Sequence, residues 1–227
     1  MDATFARRRT ILLVTIPVLL IVGGLLLAVG LTRQQPAPPR AVDSGGPPVS
    51  MPAGPKTGSS APSTGAGAHA QHVAALPASR PVRVTIPSIK VSSTLEELGL
   101  AKDKTMETPR DPAKAGWFTP GPTPGAQGPS VIAGHVTWNG VPSVFFKLGD
   151  LAPGDRIDVQ RQDGRTARFT VDRIATYAKD DFPTVAVYRN TDQAALRLIT
   201  CGGTYSKADH YYPDNVVVYA TLTGSHT

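Results

Sequence analysis

Cysteine is almost absent from this sequence, since Cys201 is the only one among 227 residues. A single cysteine has no partner within the chain, so the thiol stays free or pairs between chains, and no intramolecular disulfide forms. The protein therefore has to be stabilised by a buried core. Residues 81–227 provide 147 residues for it, which is enough for one domain.

An excess of charge is missing from the same C-terminal part. The whole chain carries a formal net charge of +6. Seven of its 23 basic and two of its 17 acidic residues precede residue 81, which leaves 16 basic and 15 acidic residues in 81–227. That part is nearly neutral, so the sequence does not predict the basic patch typical of a nucleic-acid-binding domain.

Long apolar runs are absent except for one near the N-terminus. Ile11 to Leu31 is long enough to cross a hydrocarbon core of about 30 Å as a helix. Arg7–Arg9 precede it and, by the positive-inside rule, keep residues 1–10 in the cytoplasm. A cleaved signal peptide with a small-residue site at Ala28–Gly30 is the alternative, but the apolar run is longer than usual for one. We therefore predict a cytoplasmic tail, a retained single-pass anchor over 11–31 and an extracytoplasmic remainder.

Aliphatic pairs are scarce in the segment that follows the predicted anchor. From Gln34 to Arg80 the sequence is dominated by Pro, Ala, Gly and Ser, which bury too little apolar surface to offset the entropy of ordering. A coil of this length has an r.m.s. end-to-end distance of roughly 40 Å. We predict that residues 32–80 form a linker, which lets a domain over 81–227 work just above a membrane surface.

Sustained helical periodicity is also missing from 81–227, where short β-rich runs alternate with Gly and Pro. The runs are Val82–Ile86, Val131–His135, Arg156–Gln160, Arg168–Ile174, Leu196–Cys201 and Val216–Leu222. Asp163-Gly164 is a hairpin signal between two of them, and only Ser143–Leu148 indicates a helical turn or two. The pattern predicts an all-β domain, either a closed barrel or a sandwich.

Two residues with reactive side chains stand at the ends of predicted strands, His135 in AGHVTW and Cys201 in LRLITCGGTY. At a shared barrel rim they can cooperate, because an imidazolium favours the thiolate of a neighbouring cysteine and can protonate a departing amine. Gly202 and Gly203 leave room for a substrate backbone to come close. From these residues alone, a packed small side chain for Cys201 and a hydrogen-bonded rim histidine for His135 remain open alternatives.

Metal-ligand patterns are weak. Asp180-Asp181 is an adjacent carboxylate pair of a kind that is usually solvated rather than bound to calcium. A zinc site of Cys201, His135 and His210 lacks the short paired spacing of known zinc ligands. We expect neither a metal nor another cofactor.

Longer strings, taken in order, extend over nearly all of 81–227. They are RVTIPSIKV, PRDPAKAGWF, VIAGHV, VFFKLGDLAPGD, LRLITCGG and HYYPDNVVVYATL. In these strings the chain resembles the sortases, most nearly the actinobacterial class F group, from Arg80 to Leu222. The resemblance implies a closed eight-stranded β-barrel with one or two short helices, an N-terminal membrane anchor, and catalytic roles for His135 and Cys201.

The activity implied by the resemblance is that of a cysteine transpeptidase. Sortases recognise an LPXTG-like sorting signal on a secreted protein, and their cysteine attacks the Thr carbonyl to form a thioacyl enzyme. An amine of a peptidoglycan precursor or a pilin subunit then resolves it. The covalent intermediate preserves the energy of the cleaved amide, so no nucleotide is needed outside the cell. The implied partners are these substrates and the membrane.

The resemblance breaks at a third catalytic position. The family has an arginine on the strand after the cysteine, in a string like HYRDNVVV, whereas this chain has Tyr212 and Pro213 in that region and no arginine after Cys201. Its loss removes about 3–4 kcal/mol of transition-state stabilisation, by analogy with an oxyanion-hole donor. The possible substitutes are Lys207, Arg189, Arg197, Tyr211 and Tyr212.

The three cationic substitutes differ in where they lie relative to Cys201. Lys207 lies in the connection between the last two predicted strands. Arg197 shares a strand face with Cys201, but four residues along a strand is about 13 Å. Arg189 belongs to a connection that often borders the peptide groove in sortases.

An inactive sortase-like domain and two other classes of cysteine enzyme are the alternatives to an active sortase. A sortase-like domain that has lost catalysis and only binds sorting-signal peptides is the main alternative, supported by the missing arginine. An L,D-transpeptidase has a histidine close before its cysteine in an SHGC-like string, and NlpC-type peptidases have the cysteine before the histidine. Neither pattern occurs here.

Overall fold

The computed structural model describes residues 37–39 and 73–227. The predicted cytoplasmic tail, the predicted anchor and most of the predicted linker lie outside these residues. Within the described ranges, no helix combines the length and apolar character needed to span a membrane.

Eight strands form a closed barrel, which confirms the predicted fold class. The strands of the domain are β1 (Pro81–Ile86), β2 (Val91–Leu98), β3 (Ala115–Phe118), β4 (Gly128–Gly134), β5 (Thr137–Trp138), β6 (Val141–Pro142), β7 (Arg156–Arg161), β8 (Thr166–Ala178), β9 (Ala194–Gly202) and β10 (Asp214–His226). The barrel order is β1-β2-β3-β4-β9-β10-β8-β7, and the pairing of β7 with β1 closes it. β5 and β6 form a separate two-stranded sheet.

The predicted strand runs all contribute to the barrel, but β2 and β3 had no clear signal. The sequence of β2, VSSTLEEL, contains few apolar residues and its burial is irregular. β3 has only four residues. Both strands exist because neighbours pair with them: β2 pairs with β1 and runs parallel to β3, which pairs with β4.

Helices are few and short in the described residues. The predicted hairpin at Asp163-Gly164 is confirmed as the β7–β8 connection, where Gly164 has a φ of 80°. The Ser143–Leu148 run forms turns that lead into a 3-10 helix at Leu148–Asp150. The sole α-helix of the described residues, α1 (Thr184–Tyr188), lies in the β8–β9 connection, where the sequence indicated none. The other 3-10 helices are Pro87–Ile89 and Lys179–Asp181.

β4 and β9 are buried on both faces. All seven residues of β4 and eight of the nine of β9 are buried. Ile132 and Leu198 point into the interior core, whereas Val131 and Ile199 belong to a second cluster on the outer face. There they are covered by Val187 of α1, which has no exposed surface. Two-sided burial explains why these strands read as continuous apolar runs rather than as an alternation.

The last residues of the predicted linker pack against the barrel. The backbone N–H of Leu76 donates to the carbonyl of Gly125 at 2.8 Å, and the Leu76 side chain packs against the interior core. The N–H of Ser79 donates to Thr123 Oγ1 at 3.1 Å. Packed structure therefore begins before β1, so a fragment for experiments should start ahead of residue 76.

Arg161, at the end of β7, holds this N-terminal segment in place. Its side chain is completely buried and forms an ion pair with Asp163 at 2.8 Å. Its Nη2 donates to the carbonyl of Pro77 at 2.5 Å and its Nη1 to that of Pro124 at 2.7 Å. A single guanidinium thus satisfies backbone carbonyls of two separate loops.

We expect Arg161→Met to lower the free energy of unfolding by about 2–4 kcal/mol, because a carbonyl left unsatisfied inside a protein costs about 1–3 kcal/mol. Urea denaturation of the full-length chain measures the change. Arg165→Met is the matched control, since Arg165 is exposed in the neighbouring turn. Equal stability of the two variants would contradict the anchoring role.

Candidate active site

The ends of β4 and β9 lie side by side at one rim of the barrel. The two strands are parallel, and their register pairs residues 66 positions apart. Thr200 Oγ1 donates to the carbonyl of Gly134 at 2.8 Å, so the strands stay together up to the rim. Continued by one residue beyond this contact, the same offset pairs His135 with Cys201, so we infer that the two residues are neighbours at the rim. The two strands that carry the reactive residues singled out by the sequence therefore end next to each other.

His135 is held in one orientation by its surroundings. Its Nε2 lies 2.8 Å from the carbonyl oxygen of Pro109, and because a carbonyl only accepts, Nε2 carries the proton. In the neutral ring Nδ1 is then the basic nitrogen. The ring also contacts Trp138 edge-on, with the centroids 5.0 Å apart. This arrangement leaves Nδ1 as the atom that can take up and release a proton.

The backbone around His135 is pinned by the turn that follows it. The N–H of Phe145 donates to the carbonyl of His135 at 3.0 Å. A side chain at Gly134 would approach Phe145 and Val144 to 2.7 Å, so this position has to be glycine. The close approach fixes the point at which β4 ends and His135 emerges.

Cys201 is a half-buried free thiol at the penultimate position of β9. Its partner across the antiparallel β9–β10 pair is Asn215. The predicted room for a substrate at the following glycines is occupied: a side chain at Gly203, whose φ is 81°, would lie 2.5 Å from Asp214 Oδ2. The glycine is required by the chain's own β10, so the substrate has to approach Cys201 from another side.

A groove of about 760 Å³ opens on the outer face of the barrel, next to the C-terminal half of β9. Its lining includes Ile199, two residues before Cys201 on the same strand, and Asn215, which pairs with Cys201 across β9 and β10. Its apolar lining residues are Leu100, Met106, Phe118, Phe182, Tyr188 and Ile199. Two cations, Lys104 and Lys179, line it as well. The groove therefore combines a largely apolar lining with two positive charges.

Tyr212 is buried beside the candidate pair. Its hydroxyl is hydrogen-bonded to Thr137 Oγ1 at 2.9 Å. Burial is the main cause that raises the pKa of the Tyr212 phenol, and a negative charge on Cys201 raises it further. The phenol is therefore a neutral hydroxyl within electrostatic range of the thiol. Tyr211, in contrast, is exposed and holds Lys179 Nζ 4.3 Å from its ring centroid.

The three predicted cationic substitutes occupy two different regions of the domain. Lys207 is exposed in the β9–β10 connection. Arg197 is buried two strand positions beyond Ile199, and Arg189 follows α1; both line a different cavity.

Sequence reasoning missed Asn215 and Lys179. Asn215 becomes the neighbour of Cys201 only through the β9–β10 register, which spans a connection of 11 residues between the two strands. Lys179 borders the groove because its N–H donates to the carbonyl of Pro213 at 2.9 Å. No local pattern in the sequence marks either residue.

The residues considered as metal ligands lie apart. His210 is exposed, and its Nδ1 lies 3.3 Å from Tyr205 Oη. Asp180 and Asp181 belong to the short 3-10 helix after β8. In the part of the chain that the structure describes, no three His, Cys, Asp or Glu residues are grouped as metal ligands.

An eight-stranded barrel in which two adjacent parallel strands end at a histidine and a cysteine defines the class of protein. The sortase domain model matches residues 84–223. The chain belongs to the sortase family. No curated protein matches it.

Solved structures agree on the fold. The SrtA sortase from Actinomyces oris is 18% identical, with a TM-score of 0.52 over 68% of this chain and 89% of that chain. A lid mutant of sortase A from Corynebacterium diphtheriae is 22% identical, with a TM-score of 0.50 over 65% of this chain and 73% of that chain. Identities this low establish the shared fold alone.

Proposed function

We propose that this sortase is a membrane-anchored cysteine transpeptidase of the class F type. In this proposal residues 1–10 are cytoplasmic, 11–31 form the anchor, 32–80 form the linker and 81–227 form the extracytoplasmic catalytic domain. The substrates are secreted proteins with an LPXTG-like sorting signal, and the acceptor is an amine of the cell wall or of a pilin subunit. The single observation that supports the proposal is the parallel pairing of β4 with β9, whose ends carry His135 and Cys201.

The reaction proceeds in two halves. The Cys201 thiolate attacks the carbonyl carbon of the scissile amide, and the tetrahedral intermediate collapses to a thioester as the amide C–N bond breaks. The His135 imidazolium gives its Nδ1 proton to the departing amine. In the second half neutral His135 accepts a proton from the attacking acceptor amine, and Cys201 leaves as a thiolate.

The developing oxyanion needs positive charge or hydrogen-bond donors close to Cys201. Asn215 lies on β10, directly opposite Cys201 on β9. Asn215 and Lys179 both line the groove. The proposal therefore assigns oxyanion or substrate contacts to these two residues, in place of an arginine. Lys207, Arg189 and Arg197 remain weaker candidates, because Lys207 is exposed in the β9–β10 connection and both arginines line a different cavity.

A catalytically impaired domain that binds sorting-signal peptides is the second candidate function. It is supported by the absence of any arginine after Cys201. The apolar groove serves either function, since peptide binding precedes chemistry. Only a covalent adduct on the thiol separates the two.

The full-length chain, incubated with an LPXTG peptide and with or without an added amine, tests the proposal. Intact-mass spectra should contain a thioacyl adduct that disappears on addition of the amine, together with the transpeptidation product. Saturable binding of the peptide without any adduct or product would support the impaired domain instead.

We expect Lys179→Met to lower turnover by about 10²-fold, the scale of losing one oxyanion donor. Asn215→Ala should act in the same direction. Lys207→Met is the matched comparison, because Lys207 is an exposed lysine in the adjacent connection. A loss in Lys207→Met with none in Lys179→Met would assign the cation to Lys207 and contradict our assignment.

A further inference from the structure

A second cavity lies on the outer face of the barrel, away from Cys201. It has a volume of about 670 Å³ and is lined by three arginines, Arg173, Arg189 and Arg197, around Tyr219. We call it the arginine pocket. The transpeptidation scheme assigns its main oxyanion or substrate contacts to Asn215 and Lys179, which lie outside this cavity.

The arginine pocket and the groove flank α1. Thr184 and Tyr188 line the groove, whereas Ala186 and Arg189 line the arginine pocket. Val187, between them, is fully buried in the outer apolar cluster. The two cavities are therefore separate sites that share one structural element.

Arg197 is buried without an opposite charge. It is 7% exposed, its Nη1 donates to the carbonyl of Leu196 at 3.1 Å, and its Nε is enclosed without a hydrogen-bond partner. Its Cζ lies 4.5 Å from the centroid of the Tyr219 ring. A buried guanidinium is costly unless it is paired. The ring contact offsets only part of that cost.

A second guanidinium contacts the same ring. Arg173 Cζ lies 3.5 Å from the Tyr219 centroid. Burial and a hydrogen bond with Tyr177 raise the pKa of Tyr219 to about 12, so its phenol is neutral at physiological pH. Burial lowers the pKa of Arg197 and the nearby Arg173 cation acts in the same direction, whereas Tyr219 and Asp172 oppose this shift. Two like charges thus share a neutral ring, and Tyr219 supplies no counter-charge.

The carboxylates at the pocket do not neutralise these arginines. Asp172 accepts a hydrogen bond from Thr221 Oγ1 at 2.7 Å, and Asp192 is exposed. Within residues 73–227, neither forms an ion pair with any of the three arginines. The lining therefore has three cations against two anions, an excess of one positive charge.

We propose that the arginine pocket binds the carboxylate group of a small polar ligand. A guanidinium matches an oxyanion with paired N–H donors, and one negative charge balances the lining, whereas a phosphate dianion would exceed it. The volume lies in the range of small-molecule sites, so the ligand has a body besides its carboxylate. Asn190, Thr191 and Gln193 line the rest of the pocket, which suits an amide-bearing body.

Two probes that differ only in charge test this proposal: N-acetylglycine and its neutral amide, N-acetylglycinamide. The full-length chain is titrated at constant ionic strength, and the Nε–H signals of its arginines are followed by NMR. We expect N-acetylglycine to shift the signal of Arg197 saturably, with N-acetylglycinamide at least tenfold weaker. Arg189→Met should weaken binding of N-acetylglycine, whereas Arg165→Met, at an exposed arginine outside the pocket, should not.

The outcomes separate clearly. The proposal would be overturned if chloride shifted the Arg197 signal as much as N-acetylglycine does. It would also be overturned if both probes bound equally well. Tighter binding of inorganic phosphate than of N-acetylglycine would overturn the choice of a carboxylate. Because Arg189 is exposed, its variant is expected to fold, so the test does not depend on a substitution of buried Arg197. None of these readouts requires transpeptidase activity, so the test of the arginine pocket is independent of the proposed function.

Discussion

Replacement of Cys201 by alanine is expected to abolish the thioacyl adduct and to lower turnover of an LPXTG peptide by at least about 10³-fold, since no other nucleophile can form the covalent intermediate. Cys201 is the only thiol of the chain, so a mass adduct on the wild-type protein has one possible cysteine site. The adduct and the product are both measured by mass spectrometry on the full-length protein.

The single thiol also allows an independent check of the same prediction. Alkylation of the wild-type chain with iodoacetamide should inactivate it to the level of Cys201→Ala, with one modification per molecule. Prior binding of the sorting-signal peptide should slow the alkylation, because the groove is lined by Ile199 and Asn215, which neighbour Cys201 on β9 and β10. Turnover that persists in Cys201→Ala would reject the nucleophile, and with it the proposed transpeptidase.

The second large effect is expected at His135. His135→Ala and His135→Gln should both lower turnover by about 10³-fold, within the range of general acid–base catalysis. Glutamine is informative because its side-chain N–H₂ can still donate to the carbonyl of Pro109, where Nε2 does so now. It keeps the positioning contact but has no nitrogen that exchanges a proton. A loss in His135→Gln therefore reports the chemistry rather than the packing.

His210→Gln is the matched control for His135. His210 is exposed in the β9–β10 connection, and the same substitution there should leave turnover unchanged. Circular dichroism of each variant establishes that the barrel is intact. Near-normal turnover in His135→Gln with a folded barrel would remove His135 from the proton-transfer role.

These experiments also separate the two candidate functions. An active transpeptidase loses adduct and product in Cys201→Ala but keeps peptide binding. An impaired binding domain forms no adduct even as wild type, and its peptide affinity does not depend on Cys201 or His135. The comparison of binding with turnover thus tests whether Lys179 and Asn215 suffice in place of an arginine.

Much of the fold could be predicted from local sequence. Strands with strong apolar or alternating patterns, such as those at Val82–Ile86 and Val216–Leu222, are where the structure has β1 and β10. β2 and β3 escaped prediction because their pairing with neighbours outweighs weak intrinsic preference. The five-residue α1 escaped it because a helix this short is held by the burial of Val187 rather than by helical periodicity.

The residues of the candidate site also differ in whether local sequence could predict them. His135 and Cys201 could be selected because each ends an apolar run and carries a reactive side chain. Asn215 could not, because its place across from Cys201 depends on the register of a long-range strand pair. The role of Arg197 was equally hidden, since its burial on Tyr219 arises from three neighbouring strands.

The sequence by itself determined the strand-forming segments, the sole thiol, the nearly neutral composition of 81–227 and the absence of an arginine after Cys201. Only the tertiary structure decided which residues meet. The parallel pairing of β4 with β9 joins segments 66 positions apart, and such contacts follow from closure of the barrel rather than from local preference. On the outer face of the barrel, α1 packs over the second apolar cluster through Val187. It thereby lies between the groove and the arginine pocket.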